Sequence, residues 1–114
     1  MVPDEASKLM SQMRRGAIQY CVLALLRRRE WYGFELAQAL AEADGLVTSE
    51  GTIYPLLSRL RRDRLVDSAW RESSQGPPRR YYSLTSEGTA ALDAFAGQWA
   101  RFRDAVDRLV TEGA

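Results

Sequence analysis

Apolar side chains recur along this chain first with the period of a helix, then briefly with the period of a strand, then again with that of a helix. Ile18, Cys21, Val22, Leu25 and Leu26 share one stripe, which predicts a first helix over about residues 7–29. Leu36, Ala37, Leu40 and Ala41 predict a short second helix over 33–42, and Gly45 suits the left-handed conformation that ends a helix. Ser49 is a good N-cap, with Glu50 following in the first turn, so a third helix is expected from Ser49 to Arg64 with Ile53, Leu56, Leu57 and Leu60 inward. Pro55 inside it removes a hydrogen bond to Gly51 and favours a bend.

At Val66 the texture changes. Val66 and Trp70 fall in phase with a period of two in the stretch 66–73, Ser74-Gln-Gly-Pro-Pro78 interrupts, and Arg79–Leu84 is rich in strand-favouring tyrosine. This predicts a hairpin of two strands joined by a five-residue turn. Thr85 then caps a last helix running to about Thr111, with Glu87 in its first turn. Trp31 and Tyr32 are expected to close the first helix onto the second, and Trp70 to pack the hairpin onto the helices. Cys21 reads as a small buried hydrophobe. The expected fold is mainly α with a small β-hairpin: a winged helix-turn-helix over 7–84 and a long C-terminal dimerisation helix over 85–111.

In that last helix Leu92, Phe95, Trp99, Phe102, Val106 and Leu109 follow one another at intervals of 3, 4, 3, 4 and 3. This two-in-seven stripe is narrower than the face a helix buries in its own domain, and it matches a coiled-coil seam. At 1.5 Å per residue the helix would be about 40 Å long, longer than a domain of this size is wide, so it is expected to protrude and pair with a second copy. Phe95, Trp99 and Phe102 admit two readings: filling for the dimer core, or the wall of a site for flat aromatic ligands.

Composition narrows the function. With 114 residues the chain can bury only one modest core, which makes self-association advantageous. It contains no histidine, so histidine-dependent acid–base catalysis and the commonest metal ligand are excluded; neither an enzyme nor a metal or cofactor is expected. A single cysteine and the absence of a leader-like start or a membrane-length apolar run suggest a cytoplasmic protein without membrane contact.

The net charge of +1 conceals strong segregation. Residues 14–29 hold five arginines and no acid, residues 30–58 five acids and no base, and residues 59–80 seven bases against three acids. Fifteen of the 16 bases are arginine, whose planar fork suits phosphates and guanine edges. A helical wheel of the third helix sets Gly51, Pro55, Ser58 and Arg62 opposite the apolar face, flanked by Thr52, Tyr54 and Arg59. Small or polar near its start and basic further along, this face suits a DNA major groove, though an ordinary solvated face has the same residue types. The hairpin tip sets Gln75, Gly76, Pro77 and Pro78 beside Arg79 and Arg80, which a wing could apply to a neighbouring groove. Together these features point to double-stranded DNA as partner, and a homodimer would require a pseudo-palindromic operator.

Four stretches resemble the PadR family of winged-helix transcriptional regulators, specifically its short, single-C-terminal-helix, LmrR-like class. They are Arg15-Gly-Ala-Ile18, Tyr32-Gly-Phe-Glu-Leu36, Ser49-Glu-Gly-Thr-Ile-Tyr-Pro-Leu-Leu-Ser-Arg-Leu60, and Gly76-Pro-Pro-Arg-Arg-Tyr-Tyr-Ser-Leu-Thr85 followed by Glu87-Gly88. The resemblance spans about residues 14–92. It implies a DNA-binding dimer, usually a repressor, with Ser49, Thr52, Tyr54 and Arg59 on or beside the recognition helix and Arg79 and Arg80 on the wing. Family members often have a further base on each side of this wing motif, where Pro78 and Ser83 stand here. In the LmrR-like class a tryptophan at the position of Trp99 lines a pore between subunits, and Met10 and Met13 would help to line it. The resulting expectation is a homodimeric repressor relieved by a planar aromatic ligand. The alternative is a winged helix used purely as a protein-interaction module, which would lack the steep salt dependence of phosphate contacts.

Overall fold

The computed structural model describes residues 3–43 and 50–112. In chain order its elements are α1 (Pro3–Arg14), α2 (Ile18–Arg28), β1 (Trp31–Tyr32), α3 (Gly33–Glu42), α4 (Glu50–Arg62), β2 (Val66–Ser73), β3 (Gly76–Leu84) and α5 (Ser86–Glu112). The expected Gly45 helix stop lies outside the described residues. No helix among the described residues is long and apolar enough to cross a membrane.

The single first helix of the sequence reading is two helices. Gly16 takes φ +87, a left-handed conformation that glycine adopts without steric cost, and the Ala17 N–H donates to the Arg14 carbonyl at 3.0 Å, closing a tight turn. Upstream, α1 begins at Pro3, which fits a first turn because proline's missing N–H has no helical partner there. The third helix ends at Arg62, two residues earlier than expected, because Arg64 turns left-handed at φ 64 and the Leu65 N–H reaches back to the Leu60 carbonyl at 3.0 Å. Pro55 sits within a continuous α4.

The core lies where α2, α3 and α4 meet the sheet. Val22, Leu36, Ile53, Leu57 and Leu60 are fully buried, in agreement with the helical stripes, and Val66 joins them from β2; Leu23, off the expected stripe of α2, is fully buried as well, whereas Ile18 and Leu25 on that stripe are half-buried. Ala41 departs from its stripe and is exposed at the end of α3, while Cys21 is half-buried at the rim of the core.

The hairpin is part of a three-stranded antiparallel sheet of order β1-β3-β2. β1 pairs Trp31 with Tyr82 and Tyr32 with Tyr81; two residues are too few to show alternation in a sequence. The expected five-residue turn shrinks to Ser74 and Gln75, since Ser73 already pairs with Gly76. Pro77 and Pro78 belong to β3, where the register slips by one residue between the Arg71–Arg79 and Ser73–Gly76 pairs. β1 stops short of this stretch, so β3 is an edge strand there, the position at which a sheet tolerates proline. Trp31 does close α2, its Nε1–H donating to the Leu25 carbonyl at 2.9 Å. Trp70, expected against the helices, is instead 64% exposed: the wing runs out beyond the helices that would cover it.

α5 begins on the cap foreseen for it, the Gly88 N–H donating to Thr85 Oγ1 at 2.9 Å. Its first three turns lie on the domain. Leu92 is buried, Phe95 stacks on Tyr20 of α2 with ring centroids 4.1 Å apart, and Asp93 pairs with Arg27 at 2.5 Å. The remainder projects, and the molecule measures 55 Å along its longest axis against 21 Å along its shortest.

Candidate nucleic-acid interface

The buried Ile53, Leu56, Leu57 and Leu60 hold α4 to the core and fix which of its sides faces outward. Gly51, Thr52, Tyr54, Pro55, Ser58, Arg59 and Arg62 are all exposed, as the helical wheel requires. Ser49 lies outside the described residues. Near the middle of this face the ring of Tyr54 lies across Gly33, the first residue of α3, where an added Cβ would stand 2.5 Å from Tyr54 Cε1. Glycine at 33 thus lets the recognition helix and α3 approach closely, and the contact fixes the ring of Tyr54. Farther along α4, Arg59 Nη2 donates to Gln19 Oε1 at 3.5 Å and Arg61 Nη1 donates to Ser68 Oγ at 3.3 Å, tying its basic end to α2 and to the sheet.

On the wing, Gln75 is exposed at the tip and its backbone N–H donates to Ser73 Oγ at 3.3 Å. Residues paired across antiparallel strands share a face, and neighbours along a strand alternate. The observed register therefore sets Tyr32, Tyr81, Arg79 and Arg71 on one face and Trp31, Tyr82, Arg80 and Trp70 on the other. The two wing arginines stand on opposite faces, each against a ring. The Arg79 guanidinium carbon lies 4.5 Å from the centroid of Tyr32, and that of Arg80 lies 4.9 Å from that of Trp70. Arg71 is held between the Tyr81 ring at 4.8 Å and an ion pair with Glu30. Sequence reasoning found Arg79 and Arg80 but not these rings. The signal lay in the strand register, which cannot be read before the pairing is known.

A second feature lies along the projecting helix. Trp99 continues the stack begun by Tyr20 and Phe95, its centroid 5.6 Å from that of Phe95, and Phe102 follows in a tilted contact at 6.1 Å. They wall a cleft of about 990 Å³ whose other side is the end of α1 and the turn after it, including Met13, Arg15 and Gly16. The structure thus brings together four of the five residues expected to contact a ligand, Met13, Phe95, Trp99 and Phe102; the side chain of Met10 lies outside the described part of the structure. Arg101, Arg103 and Asp107 extend the cleft along α5. The same helix leaves its stripe bare: Trp99 is 40%, Phe102 63% and Leu109 81% exposed, with Val106 exposed between them.

Cys21 stands apart from both features, and burial pushes its thiol pKa up, away from the reactive thiolate. Among the described residues no three histidines, cysteines or carboxylates gather into a possible metal site.

Comparison with known proteins gives a consistent result. The profile of the transcriptional regulator PadR-like family matches residues 22–94. The crystal structure of a PadR family transcriptional regulator from Eggerthella lenta superposes with a TM-score of 0.83 at 33% identity, over 95% of this chain and 94% of that one. A PadR-like transcriptional regulator from Bacillus cereus gives 0.79 at 35% identity, over 88% of this chain and 97% of that one. A transcriptional regulator of Mycobacterium tuberculosis is 37% identical over 83 residues, 73% of this chain and 76% of its own.

Proposed function

The chain belongs to the PadR family of transcriptional regulators, and we propose that it acts as a homodimeric, sequence-specific repressor of the short class that is released from DNA by a planar aromatic ligand. Residues 7–84 form the DNA-binding unit and residues 85–111 the dimerisation helix. The observation that carries this reading is that Tyr54 of the outward face of α4 lies against Gly33, beside Tyr32, whose ring carries Arg79 of the wing. Ser49, Thr52, Tyr54, Ser58, Arg59 and Arg62 meet the major groove, while Gln75, Arg79 and Arg80 meet the flanking backbone. Leu92 and Phe95, expected in the seam, are taken up within the domain by the core and by Tyr20, so two copies joined along the exposed remainder of the stripe, Trp99 to Leu109, set their recognition helices about 34 Å apart, one turn of DNA, and so require a pseudo-palindromic operator.

The direct test is a gel shift on the DNA upstream of its own gene, repeated across a salt series. We expect a preferred site and a linear fall of log affinity with log salt, since each phosphate contact releases counterions. Equal binding to all promoter fragments would overturn the sequence-specific reading, and a flat salt response would favour a protein-interaction module.

Ligand release rests on the cleft beside Trp99. An indole face stacked on a planar guest is worth about 0.5–1.5 kcal/mol beyond the area it covers. Trp99→Ala is therefore expected to weaken binding of planar aromatic compounds by about tenfold while the dimer persists, as read by titration calorimetry. Unchanged affinity in an intact dimer would exclude Trp99 from the site.

A further inference from the structure

Around the small sheet, four arginines lie over aromatic rings: Arg29 on Trp31 at 3.4 Å, Arg71 on Tyr81, Arg79 on Tyr32 and Arg80 on Trp70. Globular proteins show roughly one significant contact of this kind per 70–80 residues, so four on one three-stranded sheet call for a physical account. Two of them have a structural one. Arg29 also reaches Glu35 at 3.4 Å, and Glu35 Oε1 accepts from the Tyr32 backbone N–H at 3.2 Å, so that this group fastens the start of α3. Arg71 is ion-paired to Glu30. Arg79 and Arg80 have no ion-pair partner among the described residues, and their rings hold them at the root of the wing.

We propose that Tyr32 and Trp70 are positioning residues for DNA binding: they lay Arg79 and Arg80 on opposite faces of the wing so that each guanidinium is aimed at one of the two backbones flanking a groove. The inference rests on the DNA-binding reading above. A free arginine surrenders rotamer freedom when it engages a phosphate, whereas one already laid on a ring has given up much of it before binding. A ring against the face of a guanidinium leaves its terminal Nη donors for bidentate contact with phosphate oxygens. Opposite placement follows from strand alternation, because adjacent residues 79 and 80 cannot share a face. It also accounts for Trp70, a large apolar side chain left 64% exposed in the outer part of β2. Arg80 Nε is buried there without a hydrogen-bond partner, a cost that the ring contact helps to offset.

The test is a double-mutant cycle on the full-length protein, read by fluorescence anisotropy with a short mixed-sequence duplex across a salt series. Trp70 is exposed, so Trp70→Leu should fold, which its circular dichroism will show. We expect Trp70→Leu to weaken binding about three- to tenfold and Arg80→Ala by a similar factor, with the double variant no weaker than Arg80→Ala alone. Trp70→Tyr, which retains a ring, should restore affinity, and Arg80→Lys, which retains charge without a planar fork, should not. The cycle of Tyr32→Leu with Arg79→Ala should behave alike, and each arginine removed should lower the salt slope by about one. Additive losses would show that the rings touch DNA themselves or act through the fold, and no loss would show that the stacks are idle; either result overturns the proposal. Failure of the native protein to bind the duplex at any salt concentration would instead overturn the DNA-binding reading on which it stands.

Discussion

Replacing Phe102 and Leu109 together by glutamate is expected to leave the winged domain folded, abolish the proposed dimer and lower operator affinity by roughly 10²–10⁴-fold. Both side chains project from the free part of α5, 63% and 81% exposed, and neither belongs to the core that holds α2, α3 and α4 together. Burying a phenylalanine or leucine is worth about 1.5–3 kcal/mol, and in a symmetric pair each is counted twice. Glutamate removes that gain and places like charges across the seam. The loss at the operator follows from valency, since a monomer occupies one half-site and forfeits the high effective concentration that delivers the second wing and helix. Sedimentation velocity over a range of protein concentrations, paired with circular dichroism, would check the first step and operator titration the second. A variant that still sediments as a dimer would place the interface elsewhere.

The second large effect is expected at the root of the same helix. A Cβ added at Gly88 would run into the carbonyl oxygen of Leu65 and stand 2.6 Å from Leu84 Cδ1. The Leu84 methyl is the end of a side chain and can turn aside, but the Leu65 carbonyl is backbone and already accepts from the Thr85 N–H at 3.2 Å, so it cannot give way cheaply. Gly88→Ala should therefore cost about 3 kcal/mol and lower Tm by roughly 10–15 °C. Gly97 makes the comparison sharp. It lies on the same helix with nothing within 4 Å of an added Cβ, so Gly97→Ala should stabilise by about 0.5–1 kcal/mol through helix propensity alone. Thermal unfolding at one fixed protein concentration reads both, since Tm of the proposed dimer would depend on concentration. A Gly88→Ala protein as stable as the native one would mean that α5 can slide along the sheet.

How much of this was legible beforehand follows from the range over which each signal acts. The apolar stripes of α2, α3, α4 and α5 are local and periodic, and the buried set Val22, Leu26, Leu36, Leu40, Ile53, Leu57 and Leu92 lies on them. The outward face of α4 follows from the same wheel by subtraction. What escaped was set by single residues or by pairing. Gly16 breaks a helix whose stripe resumes immediately after it, and Arg64 ends another by turning left-handed without being glycine. β1 exists only because Tyr81 and Tyr82 lie opposite, and Tyr32 and Trp70 acquire their roles from partners about fifty and ten residues away, visible only once the sheet has formed. The cleft beside Trp99 needed the break at Gly16 as well as the aromatic stripe, since α1 can turn back beside α5 only if the first helix is divided there.

The short span of β1 has a consequence for how such a wing can drift in length. Beyond Tyr81 the ribbon has only two strands, and its tip is two residues, Ser74 and Gln75, touching nothing in the core. Insertions at the tip lengthen the wing while leaving every pair below it in place, and each doubling of the loop costs only about 0.6 kcal/mol in closure entropy. One residue inserted between Arg80 and Tyr81 would be different in kind. It would exchange the faces of the two arginines and separate both from their rings, because a strand reverses its sides with every residue added. Length variants are accordingly expected to accumulate at the tip and to be purged from the root, making this wing an element whose reach evolves freely while its grip does not.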